Sequence, residues 1–147
     1  MESNVFSYQL FKDEQILVVV HAGAEDYRVQ QRLRRELAAQ DGYKEISRVL
    51  IDMSALEATN IDGRSMAGQL LKLDAEYQTR VGPMRFAFFA PAGSFGYSLA
   101  RQFQGLAEIS DRIRVEVFEE GDDACEWLGL NHGTAHYLGG EFKVRHS

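Results

Sequence analysis

The sequence predicts an α/β fold built on a mixed sheet of four to five strands, with one antiparallel edge strand and helices packed against it. Short apolar runs of strand length alternate along the chain with longer segments whose apolar residues recur at helical spacing. The first two strand segments follow each other with only a polar turn between them, whereas a helix precedes each later strand. With 147 residues, 45% of them hydrophobic, the chain is long enough for one domain with its own core.

The first element is a predicted hairpin. Its strands, residues 5–11 and 15–20, are separated by the polar turn Lys12-Asp13-Glu14. The second strand ends in a continuous run of apolar, mostly β-branched residues, which is typical of a central strand covered on both faces. Helices are therefore expected on both sides of the sheet.

Helices and strands alternate after the hairpin. Val29, Leu33 and Leu37 recur at helical spacing and predict the first helix, which ends near Asp41-Gly42. The next elements are a strand at residues 48–52 and a helix with the apolar stripe Met66, Leu70, Leu73 and Tyr77. A strand at residues 85–90 follows, and then a helix marked by Phe95, Leu99, Phe103 and Leu106. The last elements are a strand at residues 113–118 and a short helix at residues 122–128. Strands joined through a helix are expected to be parallel, with right-handed connections.

Composition and charge narrow the class of protein. The chain has 16 Lys and Arg against 22 Asp and Glu, a net charge of −6, whereas a general nucleic-acid-binding protein carries a basic surface. Cys125 is the single cysteine, so we expect no internal disulfide and a reducing compartment. The polar start of the sequence and its short apolar runs predict neither a signal peptide nor a membrane span. We therefore expect a cytoplasmic protein with no nucleic-acid partner and no stable membrane insertion.

The C-terminal segment differs from the rest. Residues 131–147 lack a clear period and contain three of the four histidines. We therefore expect one domain over residues 1–130 and a tail over residues 131–147. Because residues 141–145 alternate apolar and charged side chains, the tail either adds a strand to a free sheet edge or forms a disordered arm.

Several local sequences, taken in order, resemble a known family. They are the opening hairpin, Gly23-Ala24-Glu25-Asp26-Tyr27 before the first helix, the strand end Val49-Leu50-Ile51-Asp52-Met53-Ser54, and the closing acidic turn with Ala124-Cys125-Glu126-Trp127-Leu128. Together they resemble the STAS domain, the fold of the bacterial anti-sigma-factor antagonists, and more closely its SpoIIAA-like branch of small bacterial proteins. The resemblance covers residues 5–130 and implies a regulatory module that works by binding.

The chain departs from the regulatory members of that family at their phosphorylation site. In those members an Asp-Ser-Ser-Gly string carries the serine that a partner kinase phosphorylates. Aligned from Asp52 without gaps, this string falls on Asn60-Ile61-Asp62-Gly63, which has no hydroxyl at either serine position. With two residues inserted, Ser65 takes the place of the family glycine. The phosphorylation switch therefore does not carry over from the resemblance.

Polar side chains near the ends of the third and fourth strands form a predicted functional edge. Ligands of open α/β sheets bind outside the carboxyl ends of the strands, where loops and helix N-termini meet. The side chains at this edge are Asp52, Ser54, Asn60, Asp62, Arg64 and Ser94. Capping and turn formation are the structural alternative for Asp52, Ser54 and Asp62, because such side chains bond local backbone donors.

The string Ala92-Gly93-Ser94-Phe95-Gly96 has the shape of a variant nucleophile elbow, since it follows a strand and opens a helix. Asp122 or Asp123, and then a histidine of the C-terminal segment, would complete a catalytic triad. An α/β-hydrolase sheet usually needs more strands than this chain supplies. We therefore favour Ser94 as a helix cap, with glycines that permit a tight turn.

Two further groups of side chains have alternative interpretations. His132 and His136 have the spacing of two metal ligands on one helical face. However, Gly133 disfavours that helix, and the spacing sets no third ligand. We therefore expect no metal and no cofactor.

The basic residues of the first helix would suit an acidic partner or an anionic lipid headgroup, or form a solvated face beside neighbouring carboxylates. These residues are Arg28, Arg32, Arg34 and Arg35.

Phe95, Tyr97 and Phe103 surround the loop after the fourth strand, where an outward movement of the helix would open an apolar pocket. The SpoIIAA-like branch is also similar to CRAL-TRIO lipid-binding domains, which implies a hydrophobic ligand.

The first functional hypothesis is a non-enzymatic module that binds a protein partner or a small apolar or anionic ligand through its strand-end loops. The alternatives are a carrier or sensor of a lipid-like molecule and a small serine hydrolase centred on Ser94. A free edge strand would also suit a homodimer.

Overall fold

A computed structural model describes residues 6–59, 63–77 and 82–130 of the chain. The order of its main elements is the predicted β-β-α-β-α-β-α-β-α, with a short 3-10 helix at Tyr43–Glu45. The strands are β1 (Phe6–Phe11), β2 (Ile16–Glu25), β3 (Arg48–Thr59), β4 (Met84–Phe89) and β5 (Ile113–Phe118). The helices are α1 (Tyr27–Ala38), α2 (Gly63–Tyr77), α3 (Phe95–Ala107) and α4 (Gly121–Leu128). The C-terminal tail predicted for residues 131–147 lies outside the described residues.

The five strands lie in the order β1-β2-β3-β4-β5. β1 is antiparallel to β2, and every other neighbouring pair is parallel, which confirms the predicted mixed sheet with an antiparallel edge strand. Each parallel connection moves to the next strand in the same direction, so right-handed connections bring α1, α2 and α3 to one face. α4 packs on the other face, against β3, β4 and β5.

The central strands bury side chains on both faces. In β2, Leu17 and Val19 belong to the larger core, on the side of α1, α2 and α3, whereas Ile16 and Val18 belong to a smaller core beside α4. Alternate residues of a strand point to opposite faces, so a continuous apolar run supplies both cores. This is the arrangement that the apolar sequence of the second strand predicts.

β2 and β3 are longer than the sequence predicts. The sequence predicts that they end at residues 20 and 52, but they continue as a parallel pair to Glu25 and Thr59, beyond their pairing with β1 and β4. Ser54 therefore lies within a strand rather than in a loop. The segments that pair, Ala22–Glu25 and Ala55–Thr59, are rich in alanine and glutamate, which have low strand propensity, so their pairing leaves no local sequence signal.

The helices differ in their distance from the sheet. α3 packs closely against β3 and β5, whereas α1 and α2 stand further from the strands. The buried residues of α3 are small, Gly96, Ala100 and Ala107, and they permit a close approach. α1 and α2 instead bury large side chains: Leu33, Leu37, Met66, Leu70 and Tyr77. These side chains hold the two helices away from the sheet and leave space between the helices and the sheet.

Two arginines hold the C-terminal end of α4. Arg48 and Arg85 are neighbours in the register of β3 and β4. Arg48 donates a hydrogen bond from Nη1 to the carbonyl oxygen of Leu128 at 2.7 Å, and a second bond to the carbonyl oxygen of Glu14. Arg85 Nη1 donates to the carbonyl oxygen of Trp127 at 3.0 Å. These cations complement the negative end of the helix dipole and satisfy its last carbonyl groups.

Candidate functional site

A cavity of about 170 Å³ lies between the sheet and the helices α1, α2 and α3. Alternate residues of the three central strands form its floor: Leu17, Val19, Ile51, Met53, Phe86 and Phe88. Side chains from the helices form its walls, among them Leu33, Leu37, Met66, Leu73 and Phe103. An engineered protein cavity of about 150 Å³ with a similar lining stays dry and takes up benzene. The lining and the size therefore suit a small apolar molecule.

Four polar residues also line this cavity: His21 at the end of the β1-paired part of β2, Gln30 and Arg34 on α1, and Gln69 on α2. Gln30 and Arg34 are four residues apart, so they lie on the same side of α1. Arg34 and Gln69 also line a surface groove between α1 and α2. The apolar cavity thus meets the protein surface at an arginine and a glutamine.

The groove is positively charged. Its other lining residues are Gln31, Arg35 and Lys72, and no carboxylate of the described chain lines it. Within the described residues, neither Arg34 nor Lys72 forms an ion pair. The groove is therefore a local site for an anion on a protein whose net charge is −6.

The basic residues of α1 divide by environment. Arg32 has structural contacts: its Nε lies 3.5 Å from the carboxylate of Glu36, and its guanidinium lies 4.8 Å from the ring centroid of Phe6. Arg28 and Arg35 are exposed to solvent. Arg34 differs from all three because it lies where the groove meets the cavity.

Asp52 and Ser54 are hydrogen-bonded to each other. Asp52 is 8% exposed, and its carboxylate accepts bonds from the Ser54 backbone N–H at 2.9 Å and from the Ser54 hydroxyl at 2.6 Å. The contact lies where β3 contains an extra residue relative to β2. Because Ile51 and Met53 line the cavity, Asp52 between them points to the opposite face of the sheet. The pair makes the turn-type contact that the sequence suggests as its structural alternative.

The other predicted edge residues do not line the cavity. Arg64 is exposed in the first turn of α2, and Asn60 and Asp62 lie outside the described residues. Ser94 caps α3: its hydroxyl oxygen accepts from the Tyr97 backbone N–H at 3.1 Å and donates to the Pro91 carbonyl oxygen at 2.7 Å. A functional role for this edge stays a prediction.

The structure does not assemble the suggested catalytic triad from the part of the chain that it describes. Asp122 and Asp123 lie in the first turn of α4, which packs on the opposite face of the sheet from α3. The candidate histidines, His132 and His136, lie outside the described residues. Both hydrogen bonds of the Ser94 hydroxyl join it to backbone atoms, as a helix cap requires.

The predicted aromatic pocket and the observed cavity share one residue. Phe103 lines the cavity, and its ring centroid lies 5.5 Å from that of Phe88. Phe95 is 42% exposed and Tyr97 is half-buried, and neither lines the cavity. The start of α3 packs tightly on β3, so the space lies toward α1 and α2 instead. Gln30 and Arg34, beside the apolar stripe of α1, are the sequence signal that points to this location.

Across residues 6–59, 63–77 and 82–130, no three His, Cys, Asp or Glu side chains lie close enough together to hold a metal ion. No helix in those ranges has both the length and the apolar character needed to cross a membrane.

The fold can be compared with that of known proteins. No protein-family model matches the chain, and no curated protein matches it in sequence. Its structure is similar to the crystal structure of an uncharacterized protein of the DUF3478 family from Shewanella loihica PV-4, which has a SpoIIAA-like fold. The two share 19% sequence identity with a TM-score of 0.57, over 87% of this chain and 98% of the other. The likeness predicted from sequence is thus confirmed for the architecture, and this chain has a SpoIIAA-like fold.

Proposed function

We propose that this protein is a cytoplasmic, non-enzymatic module that binds a small apolar molecule in the cavity beneath α1 and α2. The observation that carries this proposal is the cavity itself, about 170 Å³ in volume and lined mainly by apolar side chains. Protein interiors are normally close-packed, with few voids larger than a water molecule. A space of this size in a small domain is therefore a specific feature of the molecule.

The energetic cost of the cavity supports the same function. The side chains that line such a space give up the free energy of the dispersion contacts that a close-packed core would provide. A bound apolar molecule recovers part of this free energy through dispersion contacts and through removal of its own surface from water.

The test uses octan-1-ol, a neutral apolar probe, on the full chain. We expect it to raise the midpoint of thermal unfolding in a concentration-dependent way, because a ligand that binds only the folded state stabilises it. Three of the four methionines, Met53, Met66 and Met84, line the cavity. Their methyl groups, labelled with carbon-13, should show shifted NMR signals when the probe binds.

A matched pair of variants locates the binding site. Leu73 lines the cavity, whereas Leu71, on the same helix, is 64% exposed and does not line it. Leu73→Trp should fill part of the cavity and weaken octan-1-ol binding, and Leu71→Trp should leave it unchanged. Circular dichroism confirms that both variants fold. Failure of the probe to bind, or equal binding by the two variants, overturns the proposal.

A second candidate function is protein binding through the predicted functional edge. It is supported by the extension of β3 beyond its pairing with β4, where Ser54, Ala55, Glu57 and Ala58 are exposed. A strand edge that pairs with no other described strand offers backbone groups to another chain, including a second copy of this one. Sedimentation of the purified protein tests self-association, and Ser54→Trp should weaken a dimer formed there while Leu71→Trp leaves it intact. A monomer at all concentrations overturns self-association at this edge.

A further inference from the structure

We infer that the molecule bound in the cavity is an anionic amphiphile, a carboxylic acid whose apolar tail enters the cavity and whose carboxylate is held by Arg34. This inference rests on the proposed function and adds the chemical class of the ligand. It depends on the position of Arg34, which lines the apolar cavity and the basic groove at once. A single molecule with an apolar tail and an acidic head would occupy both.

The donors at the junction match a carboxylate. Arg34 on α1 and Gln69 on α2 both line the cavity and the groove, so their side chains lie at the same opening from two neighbouring helices. A guanidinium group presents two parallel N–H donors that fit the two oxygens of a carboxylate, and the glutamine amide supplies a further donor. A hydroxyl or ammonium head would use these groups poorly, because it offers fewer acceptor sites or none.

Charge around the opening favours an anion over a neutral head. Arg35 and Lys72 line the same groove as Arg34. Arg34 has no ion-pair partner within the described chain, so an incoming carboxylate does not compete with a bound acidic side chain. Arg34 is half-buried at the opening, and charges interact more strongly away from bulk water.

The volume of the cavity limits the tail. About 170 Å³ is close to the size of the engineered site that holds one benzene molecule. Such a space accepts one short aliphatic chain or one aromatic ring, and it is too small for the paired acyl chains of a phospholipid. The ligand class is therefore a medium-chain or aromatic monocarboxylic acid rather than a membrane lipid.

Three probes with the same tail and different heads test the inference: octanoic acid, octan-1-ol and octylamine. At pH 7 the acid is an anion, the alcohol is neutral and the amine is a cation. Isothermal titration calorimetry should show the acid binding at least about tenfold more tightly than the alcohol, as a charge-assisted hydrogen bond predicts, with the amine weakest.

Variants of α1 assign the preference to one side chain. Arg34→Gln should remove the preference for the acid, measured as the ratio of the acid and alcohol affinities, and Arg34→Lys should restore part of that preference. Arg28→Gln is the matched control, because Arg28 is exposed on the same helix and does not line the cavity. It should keep the full preference for the acid.

The possible results separate the two proposals. If none of the three probes binds, the proposed function fails. If acid and alcohol bind equally, or if Arg34→Gln keeps the preference, the cavity function stands and the carboxylate inference is overturned. Loss of alcohol binding in Arg34→Gln would also overturn it, because Arg34 would then support the cavity rather than the head group.

Discussion

Gly96 at the start of α3 lies directly against the backbone of Met53 in β3. A β-carbon built on Gly96 would stand 2.1 Å from the Met53 carbonyl oxygen, far inside van der Waals contact. Only glycine permits this approach. The contact fixes the N-terminal end of α3 on the sheet, and the side chain of the same Met53 lines the cavity. The tightly packed N-terminal end of α3 therefore lies next to the cavity.

Gly96→Ala should destabilise the protein by about 3 kcal/mol, because the added methyl group forces α3 away from the β3 backbone. Urea unfolding followed by circular dichroism measures the loss. The variant should also alter octan-1-ol binding, since movement of α3 changes the cavity wall that Phe103 forms.

Gly105→Ala is the control within the same helix. A β-carbon at Gly105 meets no atom within 4 Å, so the substitution adds no clash. Alanine has the higher helix propensity, and this variant should be more stable by up to about 1 kcal/mol. Equal effects of the two substitutions would show that the Gly96 contact does not limit the packing of α3.

Arg48→Met should lower the free energy of unfolding by about 2 kcal/mol, because the carbonyl oxygens of Leu128 and Glu14 lose a charged donor. Denaturant unfolding gives the difference from the wild type. Arg114→Met, on the exposed side of β5, is the comparison and should change stability by less than about 0.5 kcal/mol. Similar losses at both positions would mean that Arg48 contributes only as a surface charge.

Cys125 should react slowly with thiol reagents in the folded protein. Burial, and next the charge of Asp122, raise the pKa of the Cys125 thiol from 9.0 to about 11. At pH 8 the folded protein therefore holds almost no thiolate, which is the reactive form. We expect labelling by a disulfide reagent to be slow in buffer and fast in denaturant. Rapid labelling of the folded protein would show that the thiol is accessible and ionised.

The same pKa shift predicts a pH dependence of stability. The unfolded chain loses the thiol proton near pH 9, whereas the folded protein keeps it until about pH 11. The stabilising contribution is therefore complete below pH 9 and is lost as the pH rises through that interval. Cys125→Ala lacks this step, so the difference in unfolding free energy between wild type and variant should narrow with rising pH. A constant difference would contradict the raised pKa.

Asp41 should titrate below its usual range. The ammonium group of Lys12 lies 2.5 Å from the Asp41 carboxylate, and this contact lowers the pKa of Asp41. NMR titration of the carboxyl carbon should show the pKa rising toward its ordinary value in Lys12→Gln. Lys44→Gln removes an exposed lysine elsewhere in the same region and should leave the pKa of Asp41 unchanged. An unaltered Asp41 pKa in Lys12→Gln would show that the pair does not form in solution.

Local sequence patterns account for the order of the elements, the antiparallel start of the sheet and the burial of β2 on both faces. These properties follow from local periodicity: apolar runs such as the end of the second strand form strands, and spacing such as Val29, Leu33 and Leu37 forms a helix. The capping interpretation of Ser94 rested on equally local chemistry, because a hydroxyl before a helix bonds the N–H groups that follow it.

The position of the cavity, and the side chains that reach it, depend on how distant segments pack together. The distance between α1, α2 and the sheet depends on side chains from separate segments, and no local pattern encodes it. The same is true of the pairing that extends β2 and β3, and of the strand geometry that turns Asp52 away from the cavity beside Ile51 and Met53. Arg34 is one of several arginines in the sequence, and it is packing between neighbouring helices that brings it to the opening of the cavity.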